Sequence, residues 1–139
     1  MDREIKFKAW SVEHKVMLDW NKIITNKELL YSIFGNEHYA TEPPRYLWKR
    51  MQFTGLYDCE GKEIWESDLV KILNERSITK KEYWYPVYQI VNEGWSFKMK
   101  WISGGKSIDT PEFYIKHWPE QIKIIGNLYE HPNLVNNES

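Results

Sequence analysis

The chain has 139 residues, 42% hydrophobic and 28% charged, with 19 basic and 20 acidic side chains for a net charge of −1. That length suits one compact domain with an ordinary core. The single cysteine, Cys59, excludes an internal disulfide, no Cys/His pairs stand at zinc-ligand spacing, and near-neutrality removes any global drive towards a polyanion.

The amino terminus alternates charged and apolar residues from the start, and no apolar run approaches the ~18 residues of a membrane span. A reducing cytoplasm is therefore the expected setting, with neither secretion nor membrane insertion. Ile5, Phe7 and Ala9 alternate with Lys6, Lys8 and Trp10, the period of a strand with one buried face. A second strand is expected from Lys15 to Trp20, after a turn at Ser11 to His14. Thr25 with Glu28 three residues on reads as a capping box, and Gly35 stands where a left-handed carboxyl-terminal cap belongs. Between them Leu29, Leu30, Ile33 and Phe34 form the apolar face of a helix too short to be stable alone, so it is expected to dock on the sheet or on another subunit. From Asn36 to Arg50 the chain is polar and broken by Pro43 and Pro44, which reads as an irregular connector.

Residues 51 to 73, MQFTGLYDCEGKEIWESDLVKIL, pack strand, tight turn, strand, acidic bend and strand into little more than a hairpin's length, the signature of a small β-barrel. Asp58 and Gly61 sit where a four-residue turn wants a side-chain acceptor first and a residue tolerant of positive φ last, and Gly55 marks a second bend. Asn74 to Glu82 has the composition of a barrel loop. Val87 to Val91 is expected to pair with Trp95 to Trp101 through an Asn92, Glu93, Gly94 turn. In the second of these strands Trp95, Phe97, Met99 and Trp101 share one face and Ser96, Lys98 and Lys100 the other, so the register follows from burying the aromatic side. Gly104 and Gly105 end it. Thr110, Pro111 and Glu112 open one helical turn, and Ile122 to Tyr129 forms a last strand bent at Gly126.

Three stretches, REIKFKAW with Lys15, Val16 and Met17, the central MQFTGLYDCEGKEIWESDLVKI, and the closing IKIIGNLYEHPNLV, together resemble the YopX-like family of phage and prophage proteins from Gram-positive bacteria. The family's usual acidic bend is Glu-Gly-Asp; here Ser67 stands in place of the glycine, so a tight left-handed kink is not expected on the residue alone, and serine in an alternative turn would serve. The resemblance implies an SH3-like barrel, a prophage-encoded cytoplasmic protein, self-association, and no established biochemical role. The expected fold is thus mainly β: residues 1–50 supply amino-terminal strands, one short α-helix and a connector, and 51–139 the SH3-like barrel, in a single compact unit.

Aromatic residues, 8 Trp, 9 Tyr and 5 Phe, make 16% of the chain, enough to fill a core or to furnish a binding surface. The acids Asp58, Glu60, Glu63, Glu66 and Asp68 could supply carboxylates to a divalent ion in a phosphoester hydrolase, but their spacing suits turn capping on a solvated hairpin. Cys59 has no histidine or helix start nearby to activate it. His117 and His131 bracket the last strand without a third ligand, and His14 and His38 read as solvent-facing. Arg76, Lys80, Lys81, Trp84, Tyr85, Lys98 and Lys100 form a candidate nucleic-acid or partner surface, in which cations meet phosphates and rings stack on bases. Leu29, Leu30, Ile33 and Phe34, with Tyr46, Trp48 and Arg50, are the candidates for self-association. The expected function is binding and self-association, with a host or phage macromolecule as a further partner. The alternatives are a nucleic-acid module and, third, the metal-dependent hydrolase. No cofactor is expected.

Overall fold

A computed structural model describes residues 4–35, 48–73, 86–94, 96–105 and 111–135. The fold is mainly β, as expected, with few helices and with curled antiparallel sheets forming a half-barrel. The chain divides into two compact units, Met1–Phe53 and Thr54–Ser139.

In the first unit β1 (Phe7–Ser11) pairs antiparallel with β2 (Val16–Leu18), Ala9 opposite Leu18, and with the first half of β3 (Trp48–Tyr57), Ser11 opposite Trp48. Ile5, expected on the buried face, precedes the strand and is exposed. The β1–β2 turn closes through the Lys15 N–H donating to the Ser11 carbonyl at 2.8 Å, with Lys15 at φ 54°. The expected strand over 15–20 is shorter than its pattern, because Asp19 ends it: the Asp19 carboxylate accepts the Lys22 N–H at 2.8 Å and starts a helix, α1 (Trp20–Ile24). The second helix, α2 (Lys27–Phe34), is capped by Asn26, whose Oδ1 accepts from the Glu28 and Leu29 N–H groups at 3.0 and 3.1 Å. The Thr25–Glu28 capping box is therefore corrected; Thr25 is consumed as the carboxyl-terminal cap of α1.

Gly35 does cap α2, but at φ −63° it is extended and not left-handed. Glycine is needed there for space: a Cβ would run into the Tyr31 carbonyl oxygen. Ala9, Ile23 and Ile33 form the buried centre of this unit, with Leu18, Trp20, Leu30, Phe34 and Trp48 packed around them. Phe7 and Trp20 both meet the Phe34 ring edge-on, at 5.2 and 6.3 Å between centroids. The expected connector ends sooner than Arg50, since β3 starts at Trp48; its residues 36–47 lie outside those described.

The second unit begins with the rest of β3, which Gly55, at φ 84°, bends as expected, while the Thr54 hydroxyl donates to the Ile64 carbonyl at 2.7 Å. It continues through β4 (Glu63–Trp65), β5 (Asp68–Ile72), β6 (Val87–Glu93), β7 (Ser96–Ser103), α3 (Pro111–His117) and β8 (Ile122–Asn127). Among the described residues the sheet orders are β2-β1-β3-β4 and β7-β6-β5-β8. Ser67 corrects another expectation. It keeps the left-handed kink at φ 74°, held because its N–H donates to the Ile90 carbonyl at 2.7 Å and its carbonyl accepts the Leu128 N–H at 3.0 Å.

Strand β6 extends two residues further into its hairpin than expected, so Asn92 and Glu93 belong to the strand and Glu93 pairs with Ser96, where β7 starts; Trp95 lies outside the described residues. Leu69 pairs with Gly126 but Val70 with Ile124, leaving Ile125 as a bulge beside the predicted bend. The last strand ends at Asn127, where the side-chain Oδ1 accepts the Tyr129 and Glu130 N–H groups at 3.1 and 2.8 Å and turns the chain. The core of this unit gathers Ile64, Val70, Ile72, Tyr88, Ile90, Phe97, Met99, Ile115 and Ile122. Each fully buried side chain of this size contributes about 2 kcal/mol. Trp101 departs from its predicted burial and is 44% exposed.

Candidate functional site

The acidic turn between β3 and β4 is built on Asp58, which is only 4% exposed. Its Oδ1 accepts the Glu60 and Lys62 N–H groups at 2.8 and 2.9 Å, and its Oδ2 accepts the Ile124 N–H from β8 at 3.1 Å. Gly61 completes the turn at φ 78°, with its N–H on the Asp58 carbonyl. Asp68 is buried as well, and its Oδ2 accepts the Trp65 N–H at 2.8 Å across the Ser67 kink. The two buried carboxylates among the described residues are thus occupied by main-chain donors. Glu60 lies outside on the turn and bonds to the Lys123 ammonium, which holds its carboxyl below the usual 4.5, helped by Lys62 and opposed by burial and Asp58. No group of three or more His, Cys, Asp or Glu side chains suited to a metal ion occurs among the described residues. Cys59 is half-buried, its N–H bonded to the Ile122 carbonyl at 2.7 Å. The His131 Nδ1 accepts the Asn127 N–H at 3.1 Å, His117 is exposed at the end of α3, and His14 is exposed beside Glu13.

Of the candidate nucleic-acid surface, Arg76, Lys80, Lys81, Trp84 and Tyr85 lie outside the described residues, as do Tyr46 and His38. Lys98 and Lys100 are placed on β7, Lys98 at 3.9 Å from Glu93 and Lys100 exposed. The helix candidates divide by face. Ile33 is in the core, Leu30 and Phe34 pack against it, and Leu29 is half-buried. Trp48 joins the same core, its Nε1 donating to the Ser32 Oγ at 3.0 Å, and the Arg50 guanidinium lies 5.4 Å from the Phe34 ring centroid.

On the outer side of α2 an open groove of about 390 Å³ is lined by Lys27, Leu30, Tyr31, Phe34 and Gly35. Tyr31 stands on its rim, 53% exposed. This residue was not among the sequence candidates, although its place one helical turn after Lys27 and one before Gly35 was readable.

Residues 6–136 match the family model described as YopX protein. No curated protein matches the chain. Among solved structures, protein EF1440 from Enterococcus faecalis is similar with a TM-score of 0.60 at 20% identity, over 96% of this chain and 99% of that one. At that identity the likeness speaks for the fold alone.

Proposed function

This chain belongs to the YopX protein family, and from that premise we propose that it acts by binding, first of all to a second copy of itself, and not by catalysis. The observation that carries the reading is the groove on α2. The half-exposed ring of Tyr31 and the groove it lines with Lys27, Leu30, Phe34 and Gly35 lie together at α2 and its carboxyl-terminal cap. A two-fold axis would bring the two copies' α2 grooves face to face, Tyr31 against Tyr31, as an isologous contact requires. Ile24, the last residue of α1, is also exposed. Occupation of the Asp58 and Asp68 carboxylates by N–H donors weighs against the hydrolase alternative.

Light scattering over a dilution series tests the reading. The wild type is expected to dissociate on dilution and Tyr31→Lys to be monomeric throughout with an unchanged far-ultraviolet spectrum. A wild type that is monomeric at every concentration refutes it. By the same family resemblance we assign the protein to a phage or prophage of a Gram-positive host, working in the cytoplasm against a host or phage macromolecule. Reading the neighbouring genes tests the first point and cell fractionation the second. No helix among the described residues is long and apolar enough to cross a membrane.

A further inference from the structure

The groove runs the length of α2. Its lining starts at Lys27, the first residue of the helix, passes Leu30, Tyr31 and Phe34, and ends at Gly35, the cap, whose N–H donates to the Tyr31 carbonyl at 2.6 Å. Tyr31 is the midpoint. Lys27 precedes it by four residues and Gly35 follows it by four, which at the helical rise is about 6 Å each way.

On this side α2 carries its charge against its own dipole. A helix is positive at its amino end and negative at its carboxyl end, yet the cation lies at the start and the last turn holds no basic residue. Lys27 is exposed and forms no ion pair among the described residues. Glu28, the acid of the first turn, does match the dipole but is not among the residues lining the groove. Arg50 of β3 comes near the other end, where its guanidinium lies 5.4 Å from the Phe34 ring centroid and makes no hydrogen bond among the described residues. The carbonyls of the last turn thus lack a cation of their own helix, and Lys27 lacks an anion.

A two-fold axis can lay one copy's groove on another's in two ways. With the axis along the helices they run parallel, and Lys27 meets Lys27. With the axis across them at Tyr31 they run antiparallel, and each Lys27 comes opposite Gly35 of the other copy, at the negative end of that helix. Given the self-association proposed above, on which this rests, we propose that two copies join through antiparallel α2 helices, Lys27 of each seated at the last turn of the other. Charge decides between the two arrangements. Parallel docking forces two unpaired ammonium groups together where apolar contact excludes water, whereas antiparallel docking gives each of them the helix end that is short of positive charge.

Light scattering of the full chain, diluted at several salt concentrations, reads the sign of this charge effect. Between antiparallel helices salt screens an attraction, so raising it should weaken the wild-type dimer. Lys27→Gln should raise the concentration of half-dissociation about five-fold and flatten the salt response. It cannot do so by weakening the helix, since a cation at the first helical position opposes the macrodipole. Between parallel helices both signs reverse. Lys27→Cys in a Cys59→Ser chain tests the geometry. Antiparallel pairing holds the two Cα atoms of residue 27 about 12 Å apart along the helices, further than the ~7 Å that a disulfide spans, so an oxidant should leave this protein unlinked. A dimer tightened by salt, tightened or left unchanged by Lys27→Gln, or disulfide-linked through Lys27→Cys overturns the antiparallel pairing and leaves self-association standing. A wild type that is monomeric at every concentration refutes self-association and the pairing with it.

Discussion

Asp58 shows how much one side chain can hold. Removing its carboxylate strands three N–H donors at once, those of Glu60, Lys62 and Ile124. Asp58→Ala is therefore expected to lower stability by about 3 kcal/mol in urea denaturation, with Asp58→Asn between it and the wild type. Because those donors occupy the carboxylate, magnesium, manganese or zinc should leave the melting temperature unchanged, as a thermal scan checks. Ser67, at φ 74°, pays a conformational cost that glycine would not. Ser67→Gly should raise stability by about 1 kcal/mol, read in the same denaturation.

Glu60 behaves differently, as an exposed acid whose pKa is lowered chiefly by its bond to Lys123. A lowered carboxyl stabilises above its unfolded value and loses that contribution as pH falls through the folded one. The stability gap between wild type and Lys123→Met should thus be steady above pH 4.5 and shrink below it, in denaturation at stepped pH. The turn-capping role of Asp58 was legible from Asp-x-x-Gly alone. Its third bond, to an amide 66 residues away, was not, because register between distant strands leaves no mark in local sequence.

At the scale of elements, the helices were the weakest part of the sequence reading. Thr25 and Asn26 are adjacent, both are good caps, and only the presence of α1 decides between them: Thr25 closes that helix and leaves Asn26 to open the next. Asn26→Ala should lower the melting temperature by an amount equivalent to about 1 kcal/mol. Thr25→Ala should cost less, since its hydroxyl only back-bonds to the Asn21 and Lys22 carbonyls, at 2.7 and 3.4 Å, on an exposed surface. α1 itself was hidden, since five residues ending a strand-like run carry no helical period. Strands fared better. The two-faced pattern of β7 fixed the burial of Phe97 and Met99, but alternation says only which side a residue takes, and Trp101 takes the core side where the cover has ended. Gly126 is a further case: a Cβ there would lie 2.8 Å from the His131 ring, a crowding that arises only when the turn after β8 folds back.

Across the whole molecule the exposed apolar surface is of two kinds, mostly aliphatic in the first unit and aromatic in the described part of the second. If self-association runs through α2, Trp118→Ala should leave the oligomer mass unchanged in light scattering while Tyr31→Lys lowers it. What the sequence determined by itself was what repeats locally: the mainly β character, the order and bends of the central strands, the Asp58 turn, and family membership, each written in neighbouring residues through pleat period and turn chemistry. Tertiary structure alone decided which rings are core and which are surface. The same Trp or Tyr satisfies either place, and only the packing of α2 and α3 on their sheets determines where the covering layer ends.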